Sequence, residues 1–189
     1  MLQQTLRDVG FELHGYVAPR DVDSRLAPTD EGVEVEWLGY DANLLEFDRD
    51  EHLLVNGIGS AGSLHVRKAV FDKFTEAGFN FLQIVADTAI VSDSANMLEG
   101  VQVLTGAIVG VDAFIDEDTI VNTGAIIEHD AVIGRHAAFV AAHFARPDDA
   151  VDVRFGHALE HPHQEIVQAL PVGLLVDGEV ADGGGRGGI

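Results

Sequence analysis

Residues 85–139 read, in blocks of six, VADTAI VSDSAN MLEGVQ VLTGAI VGVDAF IDEDTI VNTGAI IEHDAV IGRHAA F, and this spacing decides the fold. An aliphatic or other large apolar residue opens every block without a gap: Val85, Val91, Met97, Val103, Val109, Ile115, Val121, Ile127, Ile133 and Phe139. Four residues later in each complete block stands a small or β-branched residue: Ala89, Ala95, Val101, Ala107, Ala113, Thr119, Ala125, Ala131 and Ala137. A period of six belongs neither to an α-helix nor to a simple alternating strand; it is the signature of a solenoid. Each block forms one flat face of a triangular coil, the large residue filling the interior and the small one letting the chain turn the corner. Three blocks close a coil, so this stretch predicts about three stacked coils, near the minimum at which each can bury its faces against neighbours. Val103, Val109, Ile115, Val121, Ile127 and Ile133 are predicted to point inward.

Outward from the repeat the pattern changes on both sides. Before it, Thr5 to Val9 ending in Gly10 reads as a helix, and Phe11 to Ala18 as a strand. The acid-rich residues 19 to 32 read as a loop. Val33 to Leu38 alternates like a strand, His52 to Val55 is a short buried one, and Asn56-Gly57-Ile58-Gly59-Ser60 is a glycine-rich turn. Ser63 to Ala77 reads as a helix with Val66, Val70, Phe74 and Ala77 on one face, stopped by Gly78. Strands alternating with helices predict a parallel sheet that starts part-way through its pattern. After Val140 the repeat lapses, since the next frame positions are Ala145, Val151 and His157. The remaining tail holds two short apolar runs, Glu165 to Leu170 and Val172 to Val176, and ends in a glycine-rich stretch expected to be disordered. No role follows for it from the sequence.

Composition narrows the function classes. The chain has 189 residues and no cysteine, which removes disulfides, zinc-thiolate sites and Cys nucleophiles. Thirty-two acids against 11 Lys and Arg give a formal net charge of -21, a surface that repels polyanions, so nucleic acid is not an expected partner. The two lysines, Lys68 and Lys73, amid so many acids suit solubility at high salt. Neither a leader nor an apolar run long enough for a membrane span is present, so a cytoplasmic, membrane-free protein is expected.

With those residues in view, the chain resembles the sialic acid O-acetyltransferase and UDP-bacillosamine-type N-acetyltransferase family. Trp37-Leu38-Gly39 and Val55 to Ser60 with Arg67 resemble the end of that family's first domain. Val121-Asn122-Thr123-Gly124-Ala125-Ile126-Ile127-Glu128-His129-Asp130 resembles its catalytic coil. The resemblance covers roughly residues 1 to 140. It implies an α/β plus β-solenoid chain, with a truncated, partial Rossmann-like sugar-nucleotide region over 1–82, a left-handed parallel β-helix over 83–144 and an atypical tail over 145–189. It also implies acetyl-CoA as co-substrate, a sugar or nucleotide-sugar acceptor and a homotrimer with active sites between adjacent β-helices. The chain departs from the family at three places. The opening strand and its phosphate-cradling loop would fall before Met1, the family's second histidine is replaced by Ala138 with His136 nearby, and the later coils that hold acetyl-CoA give way to the tail. A non-catalytic remnant or scaffold of the family is therefore the alternative expectation.

His129 lies two residues after inward-facing Ile127, on the outside of the coil. Acetyl transfer from a thioester needs a base for the acceptor's proton, and an imidazole titrating near neutrality serves. Asp130 or Glu128 could orient the ring. The triplet alone would fit an ordinary exposed histidine; its register and the Asn-Thr-Gly context favour the catalytic reading. Asn122, one face earlier, could hydrogen-bond the acceptor. Gly57, Gly59 and Ser60 could bring backbone amides to the sugar or phosphate, or could simply make a tight turn. No metal is expected: His157, His161 and His163 lack supporting ligands, and His129, His136 and His143 are not spaced like the three histidines of a gamma-type carbonic anhydrase.

Overall fold

The computed structural model describes residues 12–18, 29–30, 33–59, 64–139, 144–145 and 173–177. The six-residue period becomes three parallel sheets. One stacks Ile84–Val85, Gln102–Val103, Ile120–Val121 and Ala138–Phe139; the second stacks Ile90–Val91, Ile108–Val109, Ile126–Ile127 and Phe144–Ala145; the third stacks Asn96–Met97, Phe114–Ile115 and Val132–Ile133. Partners lie three blocks apart in sequence, as in Ile108↔Ile126 and Ile115↔Ile133, which is the pairing of a parallel β-helix. All six residues expected to point inward are buried, and so is the corner column from Val101 to Ala137. Together they form one continuous apolar core.

A third column runs through the corners. Gly100, Gly106, Asp112, Asp118, Gly124, Asp130 and His136 all hold left-handed backbone, with φ between 54° and 71°. That conformation costs most residues Cβ sterics and is tolerated by Gly, Asp, Asn and His. The coil thus dictates residue type at its corners as well as in its interior. The repeat is expected to lapse after Val140 and the β-helix to reach residue 144, and Phe144–Ala145 adds one more rung against Ile126–Ile127. Rung pairing is made by backbone groups, so the small Ala145 in the frame position does not prevent it.

The N-terminal unit is a four-stranded sheet in the order Trp37–Gly39, Glu12–Val17, Gly173–Asp177, His52–Val55. The first two strands are parallel, while the strand from the tail runs antiparallel to both Glu12–Val17 and His52–Val55. Glu12–Val17 and His52–Val55 share one direction but do not pair, so the expected parallel sheet is corrected to a mixed one, two of its three pairings being antiparallel because a strand remote in sequence inserts between them. Gly173–Asp177, which overlaps the apolar run for which the sequence offers no role, supplies the strand between them. The expected strand over Val33 to Leu38 is interrupted, with Val33–Glu34 pairing Thr29–Asp30 and Trp37–Gly39 joining the sheet. The helix spans Leu64–Glu76 and ends where Gly78 (φ 90°) takes a left-handed turn, with Gly78 N donating to Thr75 O and Phe79 N to Phe74 O. Its buried face is Arg67, Val70, Phe71 and Phe74, and Val66, expected on that face, is exposed. The apolar-only reading skipped Arg67, which is the residue that turns the helix by one position. The expected helix over Thr5 to Val9, Ser60, His143 and residues 146–172 and 178–189 lie outside the described residues.

Candidate active site

His129 and Asp130 stand on the corner that follows Ile126–Ile127. Asp130 occupies the left-handed position (φ 57°), so the coil asks for Asp, Asn, Gly or His there whatever the chemistry. Its carboxylate does more than satisfy the turn: Asp130 Oδ2 lies 2.7 Å from His129 Nδ1. With Asp130 as acceptor, Nδ1 carries the proton and Nε2 is the lone-pair nitrogen of the neutral ring. The bond to Asp130 raises the His129 pKa above the usual imidazole range, its charge adds to that, and Glu128 contributes in the same direction. Both side chains are about two-thirds exposed, at 64% and 63%, so Nε2 is open to a molecule approaching from outside the coil.

Asn122 sits one face earlier, after Ile120–Val121. Its backbone N donates to Phe139 O of the next coil, and its side-chain Oδ1 accepts from Thr123 N at 2.9 Å. The amide therefore braces its own corner, and His129 and Asn122 belong to successive corners of one coil. Ala138, at the place of the family's second histidine, pairs with Ile120. His136 instead turns inward toward the N-terminal unit, its Nδ1 3.0 Å from Asp118 Oδ2 and its ring edge-on to Phe71. Glu99, half-buried beside Glu117 and accepting from Phe81 N at 2.5 Å, has its pKa raised chiefly by burial.

The turn Asn56–Gly59 is held from beneath by a polar cluster that sequence reasoning did not find. Arg67 and Asp118 are both fully buried, with Nη2 2.8 Å from Asp118 Oδ1. The Arg67 Nη1 donates to Asn56 O at 3.1 Å and Ile58 O at 2.6 Å, and Nε donates to Asp118 O at 3.2 Å. Asn56 Nδ2 donates to Asp118 Oδ1 and to Arg67 O, both at 3.1 Å, and Gln102 Nε2 donates to Asn56 O at 2.8 Å. Burial lowers the Arg67 pKa, while the charge and hydrogen bond of Asp118 work the other way. The cluster ties the glycine turn, the helix and two rungs of the β-helix into one unit. It uses the carbonyls of residues 56 and 58, and leaves Gly57 and Gly59 half-buried at the surface of the turn. The signal in the sequence was an arginine at helical spacing from Val70, Phe71 and Phe74.

Among the described residues no group of three or more His, Asp or Glu could hold a metal, and no helix is long and apolar enough to cross a membrane. The outward rows of the solenoid differ from face to face. Ile84, Gln102 and Ile120 are buried, whereas on the other two faces Ile90 is 66% and Val132 57% exposed and Ile108 is also exposed.

No protein-family profile and no curated protein sequence matches the chain. Solved structures do. A His-to-Ala variant of the GDP-perosamine N-acetyltransferase of Caulobacter crescentus, in complex with CoA and GDP-perosamine, matches with a TM-score of 0.56 and 25% identity, over 72% of this chain and 61% of that one. PerB of the same organism, also with CoA and GDP-perosamine, matches at 0.53 and 24% over the same shares. The acetyltransferase domain of PglB from Neisseria gonorrhoeae FA1090, in complex with acetyl coenzyme A, matches at 0.51 and 22%, over 62% and 55%. The chain thus spans between about half and two-thirds of the length of these structures. What it shares with these sugar N-acetyltransferases is their fold, a left-handed parallel β-helix joined to a small α/β region.

Proposed function

We propose that this chain is an acetyl-CoA-dependent N-acetyltransferase whose acceptor is the amino group of a nucleotide-linked sugar. The observation that carries the reading is the His129–Asp130 pair on an open corner of the β-helix, with Nδ1 engaged by the carboxylate and the imidazole largely exposed. In this reading Nε2 of His129 takes a proton from the acceptor amine as the nitrogen attacks the thioester carbonyl carbon. The C–N bond forms, the C–S bond breaks, and the departing thiolate recovers that proton from the imidazolium. Asp130 orients the ring and stabilises its cationic form, while Asn122 contributes to acceptor binding. Gly57 and Gly59 offer backbone that can approach the sugar or its phosphates, and Ser60, next in sequence, is assigned to the same binding role. The named CoA and GDP-perosamine complexes of proteins with the same fold support acetyl-CoA and a nucleotide sugar as the substrates.

The active assembly in this reading is a cytoplasmic homotrimer. The apolar rows on two faces, including Ile90, Ile108 and Val132, support burial against neighbouring copies of the chain, while the third face is already covered within the chain. Light scattering should give three times the 20.2 kDa chain mass. Calorimetry with acetyl-CoA, followed by a free-thiol assay with amino-sugar nucleotides, tests the activity. Micromolar binding with thiol release is expected, and a chain that binds no acetyl-CoA would be the scaffold of the alternative reading.

A further inference from the structure

The corner that carries His129 rests on Gly110 of the preceding coil. A Cβ built on Gly110 would stand 2.6 Å from His129 N, 2.8 Å from the carbonyl carbon of Glu128 and 3.0 Å from His129 Cα. All three are backbone atoms, so no side-chain rotation relieves the contact. The first falls short of an ordinary 3.4 Å contact by about 0.8 Å.

Neither the backbone angle nor the repeat explains this glycine. Gly110 does not hold the left-handed conformation that its corner neighbours do. The position directly after the aliphatic column carries a side chain in most blocks: Ala86, Ser92, Leu98, Leu104, Asp116, Asn122 and Glu128. The other glycine in that column, Gly134, has nothing among the described residues within 4 Å of its would-be Cβ, and its stacking position in the next coil, residue 152, lies outside them. The solenoid therefore accommodates side chains at this position, and the close approach at Gly110 is local to the peptide that bears the imidazole. Two backbone bonds hold that peptide down on either side, Gly110 N to Ile127 O at 2.8 Å and Asp130 N to Val111 O at 2.8 Å.

We propose that Gly110 is a positioning residue for His129: lacking a side chain, it lets the Glu128–His129 peptide settle against the preceding coil and so sets where the imidazole and its Asp130 partner stand. The inference deepens the acetyl-transfer reading and rests on it for its functional meaning, while its structural content can be measured without turnover. A methyl group at residue 110 displaces the peptide by several tenths of an ångström, and a base misplaced by about 1 Å can lose roughly 10²-fold in rate.

The test compares wild type, Gly110→Ala and Gly134→Ala by NMR and kinetics. In wild type a strong NOE should join a Gly110 α-proton to the His129 amide proton, and its absence would overturn the inference whether or not any variant folds. In Gly110→Ala the amide resonances of Glu128, His129 and Asp130 should move and the raised imidazole titration of His129 should fall toward an ordinary value; in Gly134→Ala neither should change. Turnover in Gly110→Ala should drop by about 10- to 100-fold through kcat. Unchanged His129 resonances in folded Gly110→Ala, or equal changes in Gly134→Ala, would refute the proposal. A wild type without acetyl transfer would tell against the proposed function, and the NMR comparison would still decide the role of Gly110.

Discussion

Asp118→Asn is the sharpest probe of how the two units are joined. Asn keeps the shape of the side chain and tolerates the left-handed backbone at this corner (φ 54°), so the substitution removes charge with little added strain. What remains is a guanidinium buried without its counter-ion, since both side chains are fully inaccessible. Removing one partner of such a pair costs about 3–5 kcal/mol. Arg67 retains three backbone carbonyl acceptors, on Asn56, Ile58 and residue 118, which places the loss at the lower end, about 3 kcal/mol. At about 2–4 °C per kcal/mol for a chain of this size, Tm should fall by roughly 6–12 °C. Urea denaturation followed by circular dichroism measures the loss, and the loss should persist in molar salt because a buried pair is little screened. Arg67→Met combined with Asp118→Asn should cost clearly less than the sum of the single changes, because the double variant leaves no unpaired charge. A loss below about 1 kcal/mol for Asp118→Asn, or strict additivity in the double variant, would refute the view that this pair is the clasp.

Asp130→Asn keeps the corner but removes the carboxylate whose hydrogen bond and charge raise the His129 pKa. The pH–rate profile of wild type should rise with pH through a midpoint above that of ordinary imidazole, because the base form exists only above it, and the variant's midpoint should move down. An unmoved midpoint would mean that Asp130 does not act on the ring. Ile115→Ala opens a cavity in the solenoid interior and should cost about 2–5 kcal/mol in urea denaturation; a smaller loss would show that the coil collapses around the gap. Leu175→Pro removes an amide from the strand between Glu12–Val17 and His52–Val55, where residue 175 pairs with both Gly15 and Leu54, and should cost about 3 kcal/mol or more. A neutral effect on thermal unfolding would mean that the tail strand is dispensable to that sheet.

The solenoid was legible in the sequence because its interior admits one residue class at one spacing, so ten aliphatic or large apolar positions from Val85 to Phe139 repeat the same message. The left-handed corner column was legible in principle too, since Gly, Asp and His are the residues that conformation tolerates. Asp118 and Asp130 could have been recognised as corner residues on that ground. The clasp was not legible, because reading only apolar residues on the helix assigned Val66 to the buried face and passed over Arg67, whose charge is admissible inside only because Asp118 lies 51 residues away. The tail strand escaped for a similar reason: its partners, Glu12–Val17 and His52–Val55, are remote in sequence and carry no local signal of a gap between them. At the candidate site the His129–Asp130 contact follows from adjacency, whereas the role of Gly110 depends on stacking between coils, which no local pattern records.

The central claim is that His129 is the base of an acetyl transfer, and its most direct measurement is the turnover of His129→Ala with acetyl-CoA and an amino-sugar nucleotide, monitored by release of free thiol. The His129 side chain is about two-thirds exposed, so the variant should fold as wild type does and keep its acetyl-CoA affinity. Its kcat should fall by about 10²- to 10⁴-fold, the range expected for loss of a general base. A variant that turns over as fast as wild type would contradict the account.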